Sequence, residues 1–469
     1  MRNVACYATL LALFASGCAQ TSSHRAPGLP SKNAGDYSGN SHQPVSTKQV
    51  GVDIAVGNSD DEATPSSSVI PVAVAIDATP TRLGLNDLEQ VALKANPTLL
   101  ELQATVDAAN GRWLQVGLRP NPALSYSGQE IGNDGRAGQH GLFVQQEFVT
   151  ANKLGRNRNT AAWDVRRAEQ ELAAQRLRIL TDVRQRFYAT LVAQERVKVA
   201  EELRGIAQRA VEKARELIKA QEPKSVLTQS EIEAELVAML VDNVRAQRKA
   251  RWRQLTAVLG RPGLPLQNVD GELSAKAPQL AWGETLDRIQ RESPELAAAA
   301  ANIEKSRWAL NRARVEATPN ITVQAGVSYD YGSSDPFAAV QVSLPIPVYN
   351  FNQGRIAETN ANVAAAEKAL RRVELSLQER LAKAYQEYEQ ARQQASRYET
   401  NILKKAKENL ELNRKSYEAG DSSYLAVLTA QRSYTQVRMA WLNAVEQLWS
   451  STAFVEGMLL AGSLNEPVR

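Results

Sequence analysis

The sequence predicts a mainly α-helical, internally duplicated chain carrying four β-strands of a membrane β-barrel that one copy cannot close. Three observations predict it. Two proline-free stretches, about residues 154–220 and 351–418, are each long enough for a helix of roughly 100 Å at 1.5 Å per residue. Each follows directly on a segment whose apolar residues alternate, at 142–148 and at 338–346. The two halves also match at a nearly constant offset. Pro120-Asn121 and Pro319-Asn320 stand 199 residues apart, as do Gly155-Arg156 and Gly354-Arg355, and VLTQSE at 226–231 resembles VLTAQR 201 residues later. Several matches in order at one spacing are the mark of a duplication.

The chain has 469 residues, few phenylalanines and many alanines, a composition that suits helices packed closely side by side. A net charge of +4 with no basic arm interleaved with aromatics excludes a nucleic-acid partner. Residues 1–17 read as a secretory signal: a basic start, the apolar run 7–15 and small residues before Cys18. Cys18 sits where a lipidated cysteine would become the new N-terminus. With Cys6 removed it is the last cysteine, which leaves no internal disulfide. Residues 18–80 are rich in Ser, Gly, Pro and Asn and read as a lipidated flexible tether, with an unassigned apolar patch at 69–76. After the signal no run of eighteen apolar residues occurs, so any membrane crossing must be made by strands in a closed barrel.

The elements follow in order. The first repeat, 81–262, opens with a helix at about 84–118. It continues with strands at about 123–131 and 140–148, the long helix 154–220 and a return helix at about 225–260. Residues 263–282 form a linker. The second repeat, 283–462, opens with a helix at about 283–317. It has strands at about 320–331 and 337–346 and helices at about 351–418 and 423–461, and a tail covers 463–469. In the strands Ile321, Val323, Ala325, Val327 and Tyr329 share one face, with Thr322, Gln324, Gly326, Ser328 and Asp330 on the other. The return strand puts Ala338, Val340, Val342, Leu344 and Ile346 on its apolar face. Leu124, Tyr126, Leu142, Val144 and Phe148 form a weaker apolar face in the first half. Such faces suit lipid on one side and water on the other. Four strands cannot close a barrel, and an open edge cannot stay in lipid. Three copies with four strands each would give about twelve.

Along the second long helix, apolar or small residues recur from Val363 through Leu377, Leu381 and Tyr388 to Ile402 in steps of three or four. This is a coiled-coil seam with a stutter at Leu377–Leu381. Its charges read as a solvated face. Pro223 breaks the first long helix. Gly420 ends the second, and Asp421 or Ser422 is placed to cap the helix that follows. Pro345 and Pro347 deny ladder donors and end the sheet. Gly354, with Gly155 at the matching position of the first half, is expected to let the chain bend where barrel gives way to helix.

No catalytic arrangement emerges, so the chain is read as a non-enzyme. There is no phosphate-cradling loop. Of the three histidines, His24 and His42 fall in the tether and only His140 in a repeat. No cofactor and no metal cage are expected.

Taken together, NPTL at 96–99, RPNPALSYS at 119–127, KLGRNR at 153–158, PNITVQAGVSYDYG at 319–332, LPIPVYNFNQGRIAE at 344–358 and YEAGDSSYLAVLTAQ at 417–431 resemble the TolC-like outer-membrane factors. The resemblance covers about residues 83–462. It implies a homotrimer with a β-barrel in outer-membrane lipid and a long α-helical barrel in the periplasm. It implies substrate leaving through the shared lumen, driven by an inner-membrane pump that a periplasmic adaptor couples to the duct. The cargo implied is cations, heavy metals or drugs; the segments 344–358 and 153–158 look most like the heavy-metal and cation efflux branch, and a type I protein secretion duct is the alternative. A lipid-anchored periplasmic coiled-coil scaffold is a further one, set against the clean alternation of the strands. In the family the two helix-turn-helix tips form the periplasmic entrance and meet the adaptor. Carried over, these are Ala419, Gly420, Asp421, Ser422 and Ser423 in one half and Pro223, Lys224 and Ser225 in the other. Asp421, repeated threefold, is a candidate cation-selecting ring, and equally a helix cap. The first tip has Pro223 where the glycine pattern of the second would stand.

Overall fold

The structure is a computed structural model that describes residues 83–132, 137–219 and 224–465. The signal segment, the tether with Cys18, and Pro223 lie outside the described residues.

Each repeat opens with two short helices rather than one. The first has α1 (Leu85–Ala95) and α2 (Pro97–Gln115); the second has α5 (Trp282–Glu292) and α6 (Pro294–Arg314). This corrects the single opening helices expected at 84–118 and 283–317. Asn96 and Ser293 are extended because a following proline disfavours the helical region for the residue before it. Proline then serves as the first residue of the next helix. Asn96 is fully buried. Its Oδ1 accepts from the Thr98 backbone N–H at 3.0 Å, and its Nδ2 donates to the Val258 carbonyl at 2.8 Å.

Strands β1 (Ala123–Gly132), β2 (Ala137–Phe148), β3 (Ile321–Asp330) and β4 (Asp335–Ser343) form one antiparallel sheet in that order. β2 begins before, and β4 ends before, the expected limits, and Pro345 and Pro347 lie beyond the last ladder pair of β4. Register ties the two repeats together at the β2–β3 pair, from Gln139 opposite Asp330 to Phe148 opposite Ile321.

The first long helix, α3 (Lys153–Lys219), runs unbroken for 67 residues, about 100 Å. Its return partner is α4 (Lys224–Val258). The second is not one helix. It consists of α7 (Gln353–Arg397), a π-turn at Tyr398–Ile402, and α8 (Leu403–Glu418), followed by the return helix α9 (Tyr424–Glu456). The π-turn inserts an extra residue and re-aims the helix. Before it, Leu377, Leu381, Ala384, Tyr388, Ala391 and Ala395 are buried; after it, α8 buries nothing. Leu377 and Leu381, where the stutter was expected, both face the core, and the backbone irregularity of this helix lies farther on, at 398–402.

Strand order is carried into the helices. α2 enters β1, α3 leaves β2, α6 enters β3 and α7 leaves β4, and α3 packs on α2 and α6 while α6 packs on α7. Farther from the sheet, α4 packs on α3, α3 on α9, and α9 on α7 and α8. The same margins recur throughout: α2, β1 and α4 on one side, β4, α7 and α8 on the other. Sheet and helices are one continuous wall, which is why a strand runs almost directly into a long helix.

Two irregular straps cross this wall. In 263–281, Val269 exchanges two hydrogen bonds with the Gln194 side chain, at 2.7 and 3.1 Å. Trp449 Nε1 donates to the Ser274 carbonyl at 2.9 Å, and the Asp270 N–H donates to the Leu83 carbonyl at 3.1 Å. Near the C-terminus the Asp182 carboxylate accepts from the backbone N–H groups of Gly462 (2.9 Å) and Ser463 (2.6 Å). Ser463, where a tail was expected to begin, is fully buried in this strap.

Candidate functional site

The first component is the two-faced sheet. Ladder register aligns Leu124, Val144, Ala325 and Val340 in one row, and Tyr126, Leu142, Val327 and Ala338 in the next. These rows face the same way and are largely uncovered: Leu124 is 74% exposed, Val327 66%, Val340 72%. The opposite face carries Gln145, Gln324 and Gln341 in one row and Ser127, Gly141, Ser328 and Phe337 in another. A contiguous apolar face of this size, with no covering element among the described residues, calls for an apolar solvent. Toward the connections at the far end of the sheet, His140 meets the Tyr331 ring edge-on at 5.4 Å and hydrogen-bonds Tyr126 Oη through Nδ1, and Tyr329 packs on Tyr331 at 4.9 Å. Aromatics with polar tips at the rim of an apolar band match the girdle of a barrel at a lipid–water boundary.

The second component is the junction of sheet and helices, and it is held by residues the sequence did not single out for this. Asn320 Oδ1 accepts from Lys153 Nζ at 2.9 Å and from the Thr150 N–H at 3.3 Å, while its Nδ2 donates to Glu147 at 2.7 Å. One asparagine of the second repeat thereby locks the end of β2 to the start of α3. Lys153 is buried, which pushes its pKa below the ordinary lysine range. Arg312 adds to that fall and Glu147 opposes it. The Gly354 expectation is corrected here. Gly354 is an ordinary helical residue at which a Cβ would meet nothing. The chain bends at Asn352, in the left-handed region with φ 62°, whose Nδ2 donates to the Ala313 carbonyl at 2.7 Å. Asparagine tolerates that conformation better than most residues. In the first half Ala151 and Asn152 make the equivalent bend, at φ 52° and 51°. Gly155 leaves the room in which the Asn152 side chain lies, 2.3 Å from where a Cβ would stand.

The third component is the far end of the helices. Gly420 adopts φ 82°, and the Asp421 N–H donates to the Ser416 carbonyl at 2.9 Å, closing α8 with a glycine C-cap. The cap of α9 is Ser423, whose hydroxyl accepts from the Ala426 N–H at 3.4 Å, not Asp421 or Ser422. Asp421 is exposed in the turn with Ala419 and Gly420. Lys224 and Ser225 are exposed at the start of α4. Tyr424 packs on Tyr417 at 5.3 Å. Burial, aided by Tyr417, raises its pKa, against a smaller opposing effect of Arg209 and Lys213. Between α4 and α9, floored by α3, lies a groove of about 870 Å³ lined by Leu203, Ile206, Leu236, Leu240, Leu425 and Leu428. Glu233 and Arg432 pair across it at 3.1 Å. Among the described residues no cluster of acids, histidines and cysteines could hold a metal, and no helix is long and apolar enough to cross a membrane.

The family described as outer membrane efflux protein matches residues 88–261 and again 285–455. The chain belongs to the outer membrane efflux protein family. The cobalt-zinc-cadmium resistance protein CzcC of Cupriavidus metallidurans is 26% identical over 399 residues, covering 84% of this chain and 93% of that one. Among solved structures, the outer membrane channel MtrE of Neisseria gonorrhoeae in its open state superposes with a TM-score of 0.66 at 18% identity. That match covers 84% of this chain and 95% of MtrE. The outer membrane protein VceC of Vibrio cholerae gives 0.64 at 17%, covering 80% and 96%. Membership of this family makes the chain an outer-membrane efflux channel.

Proposed function

We propose that three copies of this chain close into the outer-membrane exit duct of a tripartite efflux system for divalent cations. Cys18 supplies a lipid anchor and the periplasmic tips, at Lys224–Ser225 and 419–423, receive an adaptor that joins the duct to an inner-membrane pump. The observation that carries this reading is the open sheet. Among the described residues β1 and β4 have unpaired edges, the apolar face is bare, and the helix margins fall on the same two sides. A sheet edge cannot remain unpaired in lipid. Light scattering on detergent-extracted protein should give the mass of three copies, and the trimer should resist SDS until heated. A monodisperse monomer in aqueous buffer would overturn the duct.

Cations rather than proteins are favoured as cargo by the match to CzcC, whose name records resistance to cobalt, zinc and cadmium. A duct needs no tight metal site, since strong binding would slow release. Deleting the gene in its own host should lower tolerance to Zn²⁺, Co²⁺ or Cd²⁺. Unchanged tolerance together with loss of a secreted protein would assign the duct to secretion instead.

Asp421 is exposed and caps nothing in this structure, which leaves its carboxylate free to form a ring at the entrance. In planar bilayers Asp421→Ala should raise single-channel conductance and weaken block by multivalent cations several-fold. Unchanged conductance and block would remove Asp421 from the gate.

A further inference from the structure

We infer that β4 of one copy pairs antiparallel with β1 of the next, with Val342 opposite Tyr126 and Gln341 opposite Ser127, and that this seam repeats the β2–β3 pairing already present inside each chain. The inference rests on the trimeric duct proposed above and adds its register.

The duplication supplies the template. Within the chain, Val144 of β2 lies between Leu124 of β1 and Ala325 of β3. The offset of 199 that relates Pro120-Asn121 to Pro319-Asn320 makes Val323 the counterpart of Leu124 and Tyr126 the counterpart of Ala325. Val323 pairs with Val342, so Val342 holds in β4 the place of Val144 in β2. Its unpaired side must then face the counterpart of Ala325, which is Tyr126 of the next copy. The same steps from Leu142, which pairs with Tyr126 and Val327, set Val340 opposite Gly128.

Side-chain direction gives an independent check. A slip of one residue would send every side chain of the strand to the wrong face. In the inferred register Val342 and Tyr126 both lie on the apolar face. Gln341 and Ser127 both lie on the polar face, and so do Ser343 and Ser125. The lipid-facing rows therefore continue from copy to copy without a break.

The two seams differ in one respect. Inside the chain Asn320 is locked to Glu147 and Lys153. Its counterpart is Asn121, and the correspondence that equates Val144 with Val342 puts Pro345 in the place of Glu147. The seam between copies lacks the carboxylate of that lock, so strand pairing and helix packing hold it.

The test is a pair of cysteines facing the water side. Directly opposite residues have Cα atoms about 4.5–5.5 Å apart, within disulfide range, whereas a slip of two residues adds about 6.8 Å along the strand and takes them out of it. Oxidation of outer membranes carrying Ser127→Cys with Gln341→Cys should give bands at two and three times the monomer mass, lost on reduction. Either single substitution should give neither band, and Ser127→Cys with Ser343→Cys or Ala339→Cys should bridge at least ten-fold less. No bridging in the first pair, or stronger bridging in a slipped pair, overturns the register. The mass of the unsubstituted protein in detergent separates the two ideas: a trimer without the bridge refutes this seam alone, and a monomer refutes the duct as well.

Discussion

Val340→Arg should abolish the membrane-inserted trimer while leaving the helices folded. Val340 is 72% exposed in the single chain and stands in the row with Ala325, Val144 and Leu124, near the middle of the apolar face. In lipid a guanidinium there costs about 2–4 kcal/mol at mid-depth, and three copies in one ring bring about 6–12 kcal/mol. That is comparable to the whole stability of an ordinary domain, about 5–15 kcal/mol. The neighbouring residue provides the control. Gln341 faces the polar side, so Gln341→Arg should assemble normally and change only the conductance of the pore. The readouts are the SDS-resistant trimer in outer-membrane fractions and far-UV circular dichroism of the extracted protein. Equal assembly of both variants would show that Val340 does not face lipid.

The contrast between positions 340 and 341 was legible in the sequence, because a strand repeats every two residues and its two faces differ in polarity. The long helices were legible for a related reason: nothing in α3 interrupts a helical period over 67 residues. What escaped was set by single residues or by irregular backbone. The Asn96-Pro97 and Ser293-Pro294 breaks carried a signal, since each pairs a good capping residue with a proline at the first helical position. The bend at Asn352 did not stand out, because glycine two residues on is the commoner bearer of a positive φ. The π-turn at Tyr398–Ile402 has no proline and no glycine to announce it. The straps show no period, since their hydrogen bonds go to side chains such as Gln194, Asp182 and Trp449 that are far away in sequence. At the turn between α8 and α9 the sequence pointed to Asp421 or Ser422 as the cap, and geometry selects their neighbour Ser423. That selection frees Asp421 for solvent.

Tyr388→Ala should loosen the inter-repeat strap and lower the thermal stability of the wall by more than any surface substitution. Tyr388 is fully buried on α7 in a cluster with Ala391, Ala395, Val445 and Leu448. Its hydroxyl donates to the Pro278 carbonyl at 2.7 Å and accepts from the Leu280 N–H at 3.2 Å, while Tyr385 donates to the Leu280 carbonyl at 3.1 Å. One ring thus fills the core and pins the strap that joins the two repeats. Emptying the ring volume costs about 3–5 kcal/mol. Tyr388→Phe keeps the volume and strips both hydrogen bonds, at about 1–3 kcal/mol. Lys276 lies exposed on the same strap, so trypsin reports its opening. Cleavage there should accelerate about five-fold or more in Tyr388→Phe, since each kcal/mol lost multiplies the open fraction by about five. It should accelerate further in Tyr388→Ala, which should also lower the midpoint of helix melting. Cleavage in Tyr388→Phe as slow as in the unsubstituted protein would assign the strap's hold to apolar packing alone. The hydroxyl would then be a passenger on a ring that the core retains for its volume.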